Sequence, residues 1–404
     1  MTKNDSAIAI VGGGVAGLIC ACKLIELGYS VTLLDHAKKL GQKWLLASSS
    51  GMNFSVNATP QTFAKVFGEH SALFEEFYAS FGSREFNDWL QKWGFSLKKG
   101  NGTRLFAEGG TPKELLAKVI DYLAHSLLCI IHTNCKVTSL TQEQSAWKLQ
   151  TSCGEIMCEK VIFACGGKSY PKTGSDGSWV DLLEPFGFTI HSFKSSNCAF
   201  KVNWSNKMQL SSKYQYIKNV SIDGTRGDLV LTPFGIEGSP VYPHSSKYRS
   251  NIEETGIAFA TIDLFPDVSL EQLLKKLENG GMQGKKSFSS WLKSRTSLSN
   301  EAFSLFMECT SIRSAHTQKD LALLASTLKS LQIPLVEPAP IEKAISSAGG
   351  ISLNDLTENL ESKNYAGLFF CGEMLDIDPP TGGYLIQTCF TTANVIIPNL
   401  NREP

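Results

Sequence analysis

The first forty residues alternate between apolar runs and glycine-rich breaks. Residues 7–11 are a short, fully apolar run with β-branched side chains, which is typical of a buried parallel strand. Residues 18–27 carry apolar side chains at helical spacing and are followed by Gly28, a residue type that often ends helices. Residues 31–34 form a second apolar run. The pattern predicts a β-α-β unit at the start of the chain.

The break between the first strand and the helix has the spacing GxGxxG. Gly12 permits the tight turn, Gly14 lets the backbone approach a pyrophosphate, and Gly17 lets the helix pack closely on the strand. The helix N-terminus offers free N–H groups to phosphates, and Asp35, directly after the second strand, can hold ribose hydroxyls. The spacing therefore predicts a dinucleotide site.

The same stretch, residues 7–25, is apolar enough to resemble a signal peptide or a membrane anchor. Three consecutive glycines would weaken such a helix by about 1 kcal/mol each relative to alanine. No cleavage site of small residues follows, and the run leads directly into a predicted strand. We expect neither export nor membrane insertion.

Two later apolar runs also lead into glycine-rich turns. Residues 160–164 precede Gly166 and Gly167, and residues 367–371 precede a segment with Gly372, Glu373 and Asp376. In flavoproteins, a segment with this pattern of glycine and carboxylates holds the ribityl chain. No second GxGxxG follows a predicted strand, since the glycines of residues 280–284 lie among lysine-rich helical residues. The pattern favours FAD over NAD as the tightly held cofactor.

A last predicted helix begins at Gly382-Gly383-Tyr384 and runs through Ile397. Glycines at a helix start allow the backbone N–H groups to approach a ligand without a Cβ between them. The helix dipole would stabilise the negative charge that develops at flavin N1 and O2 on reduction. We expect this helix start to favour the reduced flavin, so that Gly383→Val would lower the midpoint potential.

Composition narrows the class of protein. The 404 residues contain 38 Lys and Arg against 38 Asp and Glu, and this balance argues against a nucleic-acid-binding protein. The 11 cysteines include no CxxC pair, a pattern that indicates free thiols in a reducing compartment and neither disulfides nor a metal site. We expect a cytoplasmic protein with no nucleic-acid or membrane partner.

Several blocks together resemble a known family, the BaiN-like NAD(P)/FAD-dependent oxidoreductases, and within it the aminoacetone oxidase-like flavoproteins. The blocks are Gly41-Gln42-Lys43, Gly51-Met52-Asn53-Phe54-Ser55, Gly166-Gly167-Lys168-Ser169-Tyr170-Pro171, Gly174-Ser175-Asp176-Gly177, Asn197-Cys198, residues 231–238, Ser346-Ser347-Ala348-Gly349-Gly350 and residues 371–384. Two positions depart from the family pattern. Gln42 replaces an arginine, and Ser48-Ser49-Ser50 replaces glycines, whose φ angles serine cannot adopt as freely.

The resemblance implies an α/β fold, a Rossmann-type FAD-binding domain with an inserted mixed β/helical domain. Residues 1–190 and 340–404 carry every flavin motif and form the two parts of the FAD domain. Residues 191–339 form the insertion, with alternating segments at 228–232 and 256–264 and then helical stretches at 270–277, 287–292 and 302–307. Pro334, Pro338 and Pro340 mark the return linker. We expect the insertion to cover the reactive side of the flavin.

The resemblance also implies the site residues, with one non-covalent FAD per chain. The positions expected to bind the cofactor are Gly12, Gly14, Val15, Ala16, Gly17, Asp35, Gln42, Lys43, Asn53, Val137, Gly166, Gly167, Gly372, Glu373, Asp376, Gly382, Gly383 and Leu385. The catalytic candidates are Tyr384, Asn53, Asn197 and Glu237. Two of them have an ordinary alternative: Tyr384 as a core residue at a helix start, and Glu237 as a carboxylate on a solvent-facing turn. Asn53 and Asn197 are expected to orient a polar substrate.

Three functions remain open at this level. The first is oxidation of a small primary amine such as aminoacetone, with O2 as acceptor, to a carbonyl product, ammonia and H2O2. The second is reduction of an activated C=C bond with NAD(P)H as donor. The third is a non-catalytic flavin-binding or RNA-associated protein, which the neutral charge disfavours. The absence of a second nucleotide fold favours the first, with a small-molecule substrate. No catalytic triad is evident, because neither His191 nor His244 has a neighbouring acid in the sequence.

Overall fold

The computed structural model describes residues 6–48, 52–100, 102–206, 208, 214–279 and 287–400. Ser49, Ser50, Gly51 and the glycines of residues 280–284 lie outside the described residues. The chain divides into two compact units. The first unit is Met1–Lys194 with Ile345–Pro404, and the second unit is Ser195–Ala344. Among the described residues, no helix is both long and apolar enough to cross a membrane.

The first unit contains both ends of the chain and most of the helices and strands. Up to the end of its first segment these are β1 Ser6–Val11, α1 Val15–Glu26, β2 Val31–Leu34, α2 Gln42–Ser48, β3 Asn53–Val56, α3 Pro60–Ala64, α4 Ser71–Ser80, α5 Ser83–Gln91, β4 Ser96–Lys99, β5 Arg104–Glu108, α6 Pro112–His125, β6 Cys129–His132, β7 Val137–Glu143, β8 Ala146–Thr151, β9 Gly154–Phe163, α7 Trp179–Leu183 and β10 Ile190–Ser196, whose last two residues belong to the second unit.

The second unit is formed by β11 Phe200–Lys201, β12 Gln215–Ile222, β13 Thr225–Leu231, β14 Gly235–Glu237, α8 Ser245–Thr255, β15 Ala258–Asp263, α9 Leu270–Glu278, α10 Phe288–Thr296, α11 Asn300–Cys309, α12 Gln318–Lys329, β16 Leu331–Leu335 and β17 Glu337–Pro338. The chain then returns to the first unit with β18 Ser346–Ile351, β19 Leu368–Phe370 and α13 Tyr384–Ile396.

The main sheet of the first unit has seven strands in the order β6-β2-β1-β9-β8-β7, with β19 also paired to β9. β6, β2, β1, β9 and β19 run parallel, and β7 and β8 join β9 as an antiparallel meander. α1 connects the parallel strands β1 and β2, as predicted, because the apolar strands are buried while the glycine turn reverses the chain. The Rossmann-type fold is confirmed.

Two small sheets complete the strands of the first unit, β3-β5-β4 and β10-β18. α13 packs against α1, and buried side chains from both helices form part of one core with the main sheet. The first residues of α13 also lie against β3, where the Ser55 backbone meets Gly383. The last helix of the chain therefore touches elements formed by its first sixty residues.

The second unit has a seven-stranded antiparallel sheet in the order β16-β15-β12-β13-β14-β11-β17. The predicted strands and helices of this region are present. The predicted return linker is wrong, because Pro334 lies in β16 and Pro338 in β17, the two edge strands. An edge strand tolerates proline since one side of its backbone pairs with no neighbour.

Candidate FAD site

The glycines of the first turn have different surroundings. A Cβ at Gly12, whose φ is +109°, would lie 2.4 Å from the Ala164 carbonyl oxygen, and a Cβ at Gly17 would lie 1.9 Å from the Gly12 oxygen. Both positions are closed by protein backbone. A Cβ at Gly14 would meet no described atom within 4 Å. The space beside Gly14 is thus available to a ligand at the start of α1.

The N-terminus of α1 has unused donors. Gly14 caps the helix without a side-chain hydrogen bond, and the first turn, which includes Val15 and Ala16, contains no acidic residue. A Cβ at Gly372 would lie 3.0 Å from the Ala16 Cβ, so the two glycine-rich segments face each other. Free N–H groups and the positive end of the helix dipole make this position suitable for a diphosphate.

Asp35 lies at the carboxyl end of β2 and is fixed by two backbone amides. Gly13 N–H donates to Oδ2 at 2.7 Å, and Ala37 N–H donates to Oδ1 at 2.7 Å. Burial raises the pKa of the Asp35 carboxyl, although these two hydrogen bonds and His36 favour the charged form. Each oxygen retains one acceptor position, which a ribose hydroxyl can fill.

We predict that Asp35→Ala weakens FAD binding by about 1–3 kcal/mol, because a charge-assisted hydrogen bond to ribose is lost. Titration of apoprotein with FAD by calorimetry measures the change in Kd. Asp121→Ala, which removes an exposed carboxylate from α6, is the matched control and should bind FAD as wild type does. An unchanged Kd in Asp35→Ala would show that this carboxylate does not hold the cofactor.

A charged pair joins segments that are far apart in the sequence. Lys43 Nζ lies 2.6 Å from Glu373 Oε2 and donates to Ser169 Oγ at 2.6 Å. Glu373 Oε1 accepts the Ser347 N–H at 3.1 Å, and Ser347 Oγ accepts the Lys168 N–H at 2.9 Å. Lys43 and Glu373 were expected to contact the cofactor directly. The structure pairs them with each other, and their contact with the cofactor stays a prediction.

Ser169 and Ser347 were not identified from the sequence as site residues. Both are buried, and a Cβ on the neighbouring Gly167 would lie 1.9 Å from Ser347 Oγ, so this position too is closed by protein. Their only signal in the sequence is the family resemblance of the blocks that contain them, since a single serine next to glycines has no distinctive pattern of its own.

Two buried oxygens in the first unit have no hydrogen-bond partner among the described residues. They are Asn53 Oδ1, on β3, and Ser175 Oγ, which would lie 3.3 Å from a Cβ built on Gly166. Buried polar atoms are rarely left unpaired in native proteins, so an unpaired atom beside a predicted site indicates a missing ligand contact. Asn53 and Gly166 were both predicted to bind the cofactor.

The start of α13 is fixed by close packing against β3. Gly383 has φ +111°, and a Cβ there would lie 2.1 Å from the Ser55 carbonyl oxygen. Gly382, with φ +104°, has more space, since its nearest described atom would be Arg104 Nε at 3.8 Å. The Tyr384 ring stacks on Phe63 with 5.3 Å between centroids.

The other predicted cofactor positions of the first unit lie at the ends of its elements. Gln42 is the first residue of α2, Val137 is the first of β7, and Leu385 lies in the first turn of α13. Gln42 and Leu385 are half-buried, and Val137 is buried. These positions stay predictions.

Asp376 lies close to His191, a histidine with no acidic residue near it in the sequence. Asp376 Oδ2 is 3.6 Å from His191 Nε2, and burial raises the pKa of the Asp376 carboxyl while His191 and His70 lower it. The sequence places no acid beside His191, and the fold brings Asp376 to it. The two residues are distant in the chain and meet only through the fold, so no local pattern could have paired them.

Asn197 and Glu237, two of the catalytic candidates, belong to the second unit. Asn197 is buried with φ +50°. Glu237 ends β14 and is half-buried, and burial raises the pKa of its carboxyl. His244, also in the second unit, shares a 3.0 Å hydrogen bond with the Thr225 hydroxyl. Asn53 and Tyr384, the other candidates, are placed in the first unit on β3 and at the adjoining start of α13.

Curated proteins of similar sequence span almost the whole chain. Two are named ribosomal RNA dihydrouridine synthase: one from Escherichia coli K12 is 23% identical over 95% of each chain, and one from Haemophilus influenzae Rd is 24% identical over 98% of each. A 3-dehydro-bile acid delta(4,6)-reductase from Clostridium scindens is 21% identical over 95% of this chain and 96% of its own. The resemblance to BaiN-like oxidoreductases is confirmed.

A solved structure shares the fold at low sequence identity. The 3-ketosteroid-delta4-(5alpha)-dehydrogenase of Rhodococcus jostii RHA1 aligns with 99% of this chain and 98% of its own, with a TM-score of 0.54 and 13% identity. The described residues fit FAD, since an open helix start, a carboxylate fixed at the end of β2 and two unpaired buried oxygens lie in one unit. The HI0933-like protein Rossmann domain model matches residues 6–397, and the chain therefore belongs to this family of FAD-dependent oxidoreductases.

Proposed function

We propose that the protein reduces a carbon–carbon double bond conjugated to a carbonyl group, and that its substrate is uridine in ribosomal RNA. The observation that carries this proposal is the shared chemistry of relatives that match the chain over nearly its full length. Dihydrouridine is uridine with its C5–C6 double bond saturated, and that bond is conjugated to the C4 carbonyl. A delta(4,6)-reductase of a 3-dehydro-bile acid, by its name, also removes double bonds near a ketone.

The substrate is chosen from the relatives with the higher identity, both of which carry ribosomal RNA in their names. This choice opposes the expectation, drawn from the neutral net charge, that no nucleic acid binds. Net charge describes the whole chain and does not exclude a local contact with a single flipped or looped-out nucleotide. Amine oxidation with O2 stays a prediction, and no relative described above carries an amine in its name.

When bound and reduced, FAD supplies a hydride, which the β-carbon of the conjugated bond accepts. The chain must hold the cofactor and provide a proton for the neighbouring carbon. In this proposal, backbone amides at the start of α1 hold the diphosphate and the Asp35 carboxylate holds the ribose. The N-terminus of α13 offers a positive dipole end, which favours negative charge near it.

Tyr384 is the candidate in the first unit for holding a proton. Burial raises the pKa of its phenol, so the hydroxyl remains protonated at neutral pH and can donate. Its ring is held by stacking on Phe63, which itself stacks on Tyr78 at 4.1 Å between centroids. A phenol fixed in this way can hydrogen-bond a substrate carbonyl or protonate a carbon beside it.

The proposal predicts which compound reduces the flavin. Under anaerobic conditions, NADPH or NADH should bleach the flavin absorbance near 450 nm, an approximate position common to flavins, whereas aminoacetone should leave it unchanged. Ribosomal RNA lacking dihydrouridine should then restore the absorbance, and nucleoside mass spectrometry should detect dihydrouridine. A 3-oxo-Δ4-steroid is tested in parallel as a small conjugated ketone.

Each outcome separates the open functions. Bleaching by aminoacetone alone would contradict the proposal and support amine oxidation. Reoxidation by the steroid but not by RNA would keep the reductase activity and reject the RNA substrate. RNA already saturated at its dihydrouridine sites is the matched control, because it presents the same charge without the reducible bond.

A further inference from the structure

Two cysteines lie near one end of the β7–β8 strand pair. Cys135 precedes β7, and Cys153 lies in the turn between β8 and β9. The strands are paired antiparallel, with Val137 opposite Thr151, and the Ser152 N–H donates to the Lys136 carbonyl at 2.8 Å. Continued beyond the strands, this register would bring Cys135 opposite Cys153, which lies in the β8–β9 turn. Directly opposed residues in antiparallel strands have Cα atoms about 4.5–5.5 Å apart, within the range of about 4.4–6.8 Å that a disulfide requires.

Contacts around the two thiols agree with this register. Thr151 Oγ1 accepts the Cys135 thiol at 3.3 Å and the Cys153 N–H at 3.0 Å, so one hydroxyl joins both residues. The Cys153 thiol faces the Asn134 carbonyl at 3.8 Å. Burial and a hydrogen bond with the Cys153 thiol raise the pKa of Cys135. Each thiol is free.

The two thiols differ in their exposure to solvent. Cys153 is exposed in the turn, whereas Cys135 is buried with 1% of its surface accessible. An oxidant from solution meets Cys153 first, and the second thiol is held beside it. Cys20 and Cys371 form another close pair, with 3.9 Å between sulfurs, but both are fully buried and offer no such entry.

We propose that Cys135 and Cys153 form a peroxide-sensitive thiol pair that closes to a disulfide beside the FAD site. Hydrogen peroxide oxidises the Cys153 thiol to a sulfenic acid and is reduced to water. The Cys135 sulfur then attacks the Cys153 sulfur, the S–O bond breaks, and the hydroxyl leaves with the Cys135 proton as a second water. A dithiol reductant reverses the bond by exchange.

The pair is coupled to the cofactor site through the backbone. The Cys135 N–H donates to the Asp35 carbonyl at 2.9 Å, and the Asn134 N–H donates to the Ala37 carbonyl at 3.0 Å. These bonds hold the loop that carries the Asp35 carboxylate. Since a disulfide requires sulfurs about 2.05 Å apart, closure draws Cys135 toward the turn and strains its bond to Asp35. FAD binding should weaken as a result.

The test uses reduced, full-length holoprotein exposed to hydrogen peroxide. Peptide mass spectrometry after alkylation should find Cys135 linked to Cys153. FAD titration of the oxidised protein should give a Kd raised about fivefold, as expected for the loss of roughly one hydrogen bond, and dithiothreitol should restore it. Neither readout needs a substrate, so this result is independent of the proposed reductase activity.

Two cysteine variants and one control separate the steps. Cys135→Ser should stop at a Cys153 sulfenic acid that dimedone traps, and Cys153→Ser should keep its FAD affinity in peroxide. Cys309→Ser, which removes a cysteine of the second unit, should respond as wild type does. Oxidation of Cys153 without a link to Cys135 would overturn the proposal, and so would an equal loss of FAD affinity in Cys153→Ser.

Discussion

Gly14→Val should raise the Kd for FAD about a hundredfold, the equivalent of one or two charge-assisted hydrogen bonds to phosphate. Its backbone has φ −80°, which valine adopts freely, and a Cβ there would meet no described atom within 4 Å. The new side chain would occupy space that the protein leaves open at the start of α1. The free energy of unfolding of the apoprotein should change by at most about 1 kcal/mol, the cost of a poorer helix cap.

Calorimetric titration with FAD and urea unfolding of apoprotein measure these two quantities. Gly17→Ala is the matched control, because a Cβ there would lie 1.9 Å from the Gly12 oxygen and should destabilise the apoprotein itself. If Gly14→Val bound FAD as wild type does, the diphosphate would lie elsewhere and the interpretation of the GxGxxG turn would be wrong.

Gly383→Ala should lower the free energy of unfolding by about 3 kcal/mol or more. A φ of +111° is strained for any residue with a Cβ, and this strain lowers the free energy of unfolding. The Cβ would also lie 2.1 Å from the Ser55 carbonyl oxygen, so β3 and α13 would have to separate. The sequence suggested instead that Gly383→Val would only move the helix start and lower the flavin midpoint potential. The packing shows that a substitution here disturbs the fold before it can report on the flavin.

Gly382→Ala provides the comparison for this prediction. Gly382 has φ +104°, but the nearest described atom to a Cβ there would be 3.8 Å away. The variant should therefore be destabilised by the backbone strain alone, without a steric clash. Urea unfolding of both variants, with and without FAD, separates the effect of backbone strain from the effect of the clash with Ser55. Equal destabilisation by the two substitutions would contradict the role assigned to the Ser55 contact.

The sequence predicted elements whose signal is local. β1, α1 and β2 follow from apolar periodicity and glycine spacing. The predicted strand before Gly166 ends at Phe163, one residue earlier than expected. Such features depend on neighbours within a few residues, and these neighbours are visible in the chain itself.

Features that depend on distant segments could not be predicted in this way. The Lys43–Glu373 pair and the approach of His191 to Asp376 arise only when the returning chain packs on the first segment. Proline interrupts most strands, so the sequence predicts a linker at Pro334. Only the order of strands in the folded sheet reveals that Pro334 lies in an edge strand. The unpaired Asn53 oxygen likewise has no sequence signal, because burial without a partner is a property of the fold.

The pairing of β19 with β9 has a consequence for the order of assembly during synthesis. β9 ends at Phe163, but one of its two parallel neighbours is β19, Leu368–Phe370, and the α13 start that packs on Ser55 comes later still. At about 5–20 residues per second, a ribosome needs roughly ten seconds or more to make the intervening chain. During this time the first segment has been synthesised, but β9 lacks its pairing with β19. Residues 195–344, which form a compact unit, are synthesised completely before β19. Any part of the FAD site that depends on β19 or on the start of α13 can form only after these later segments have been made.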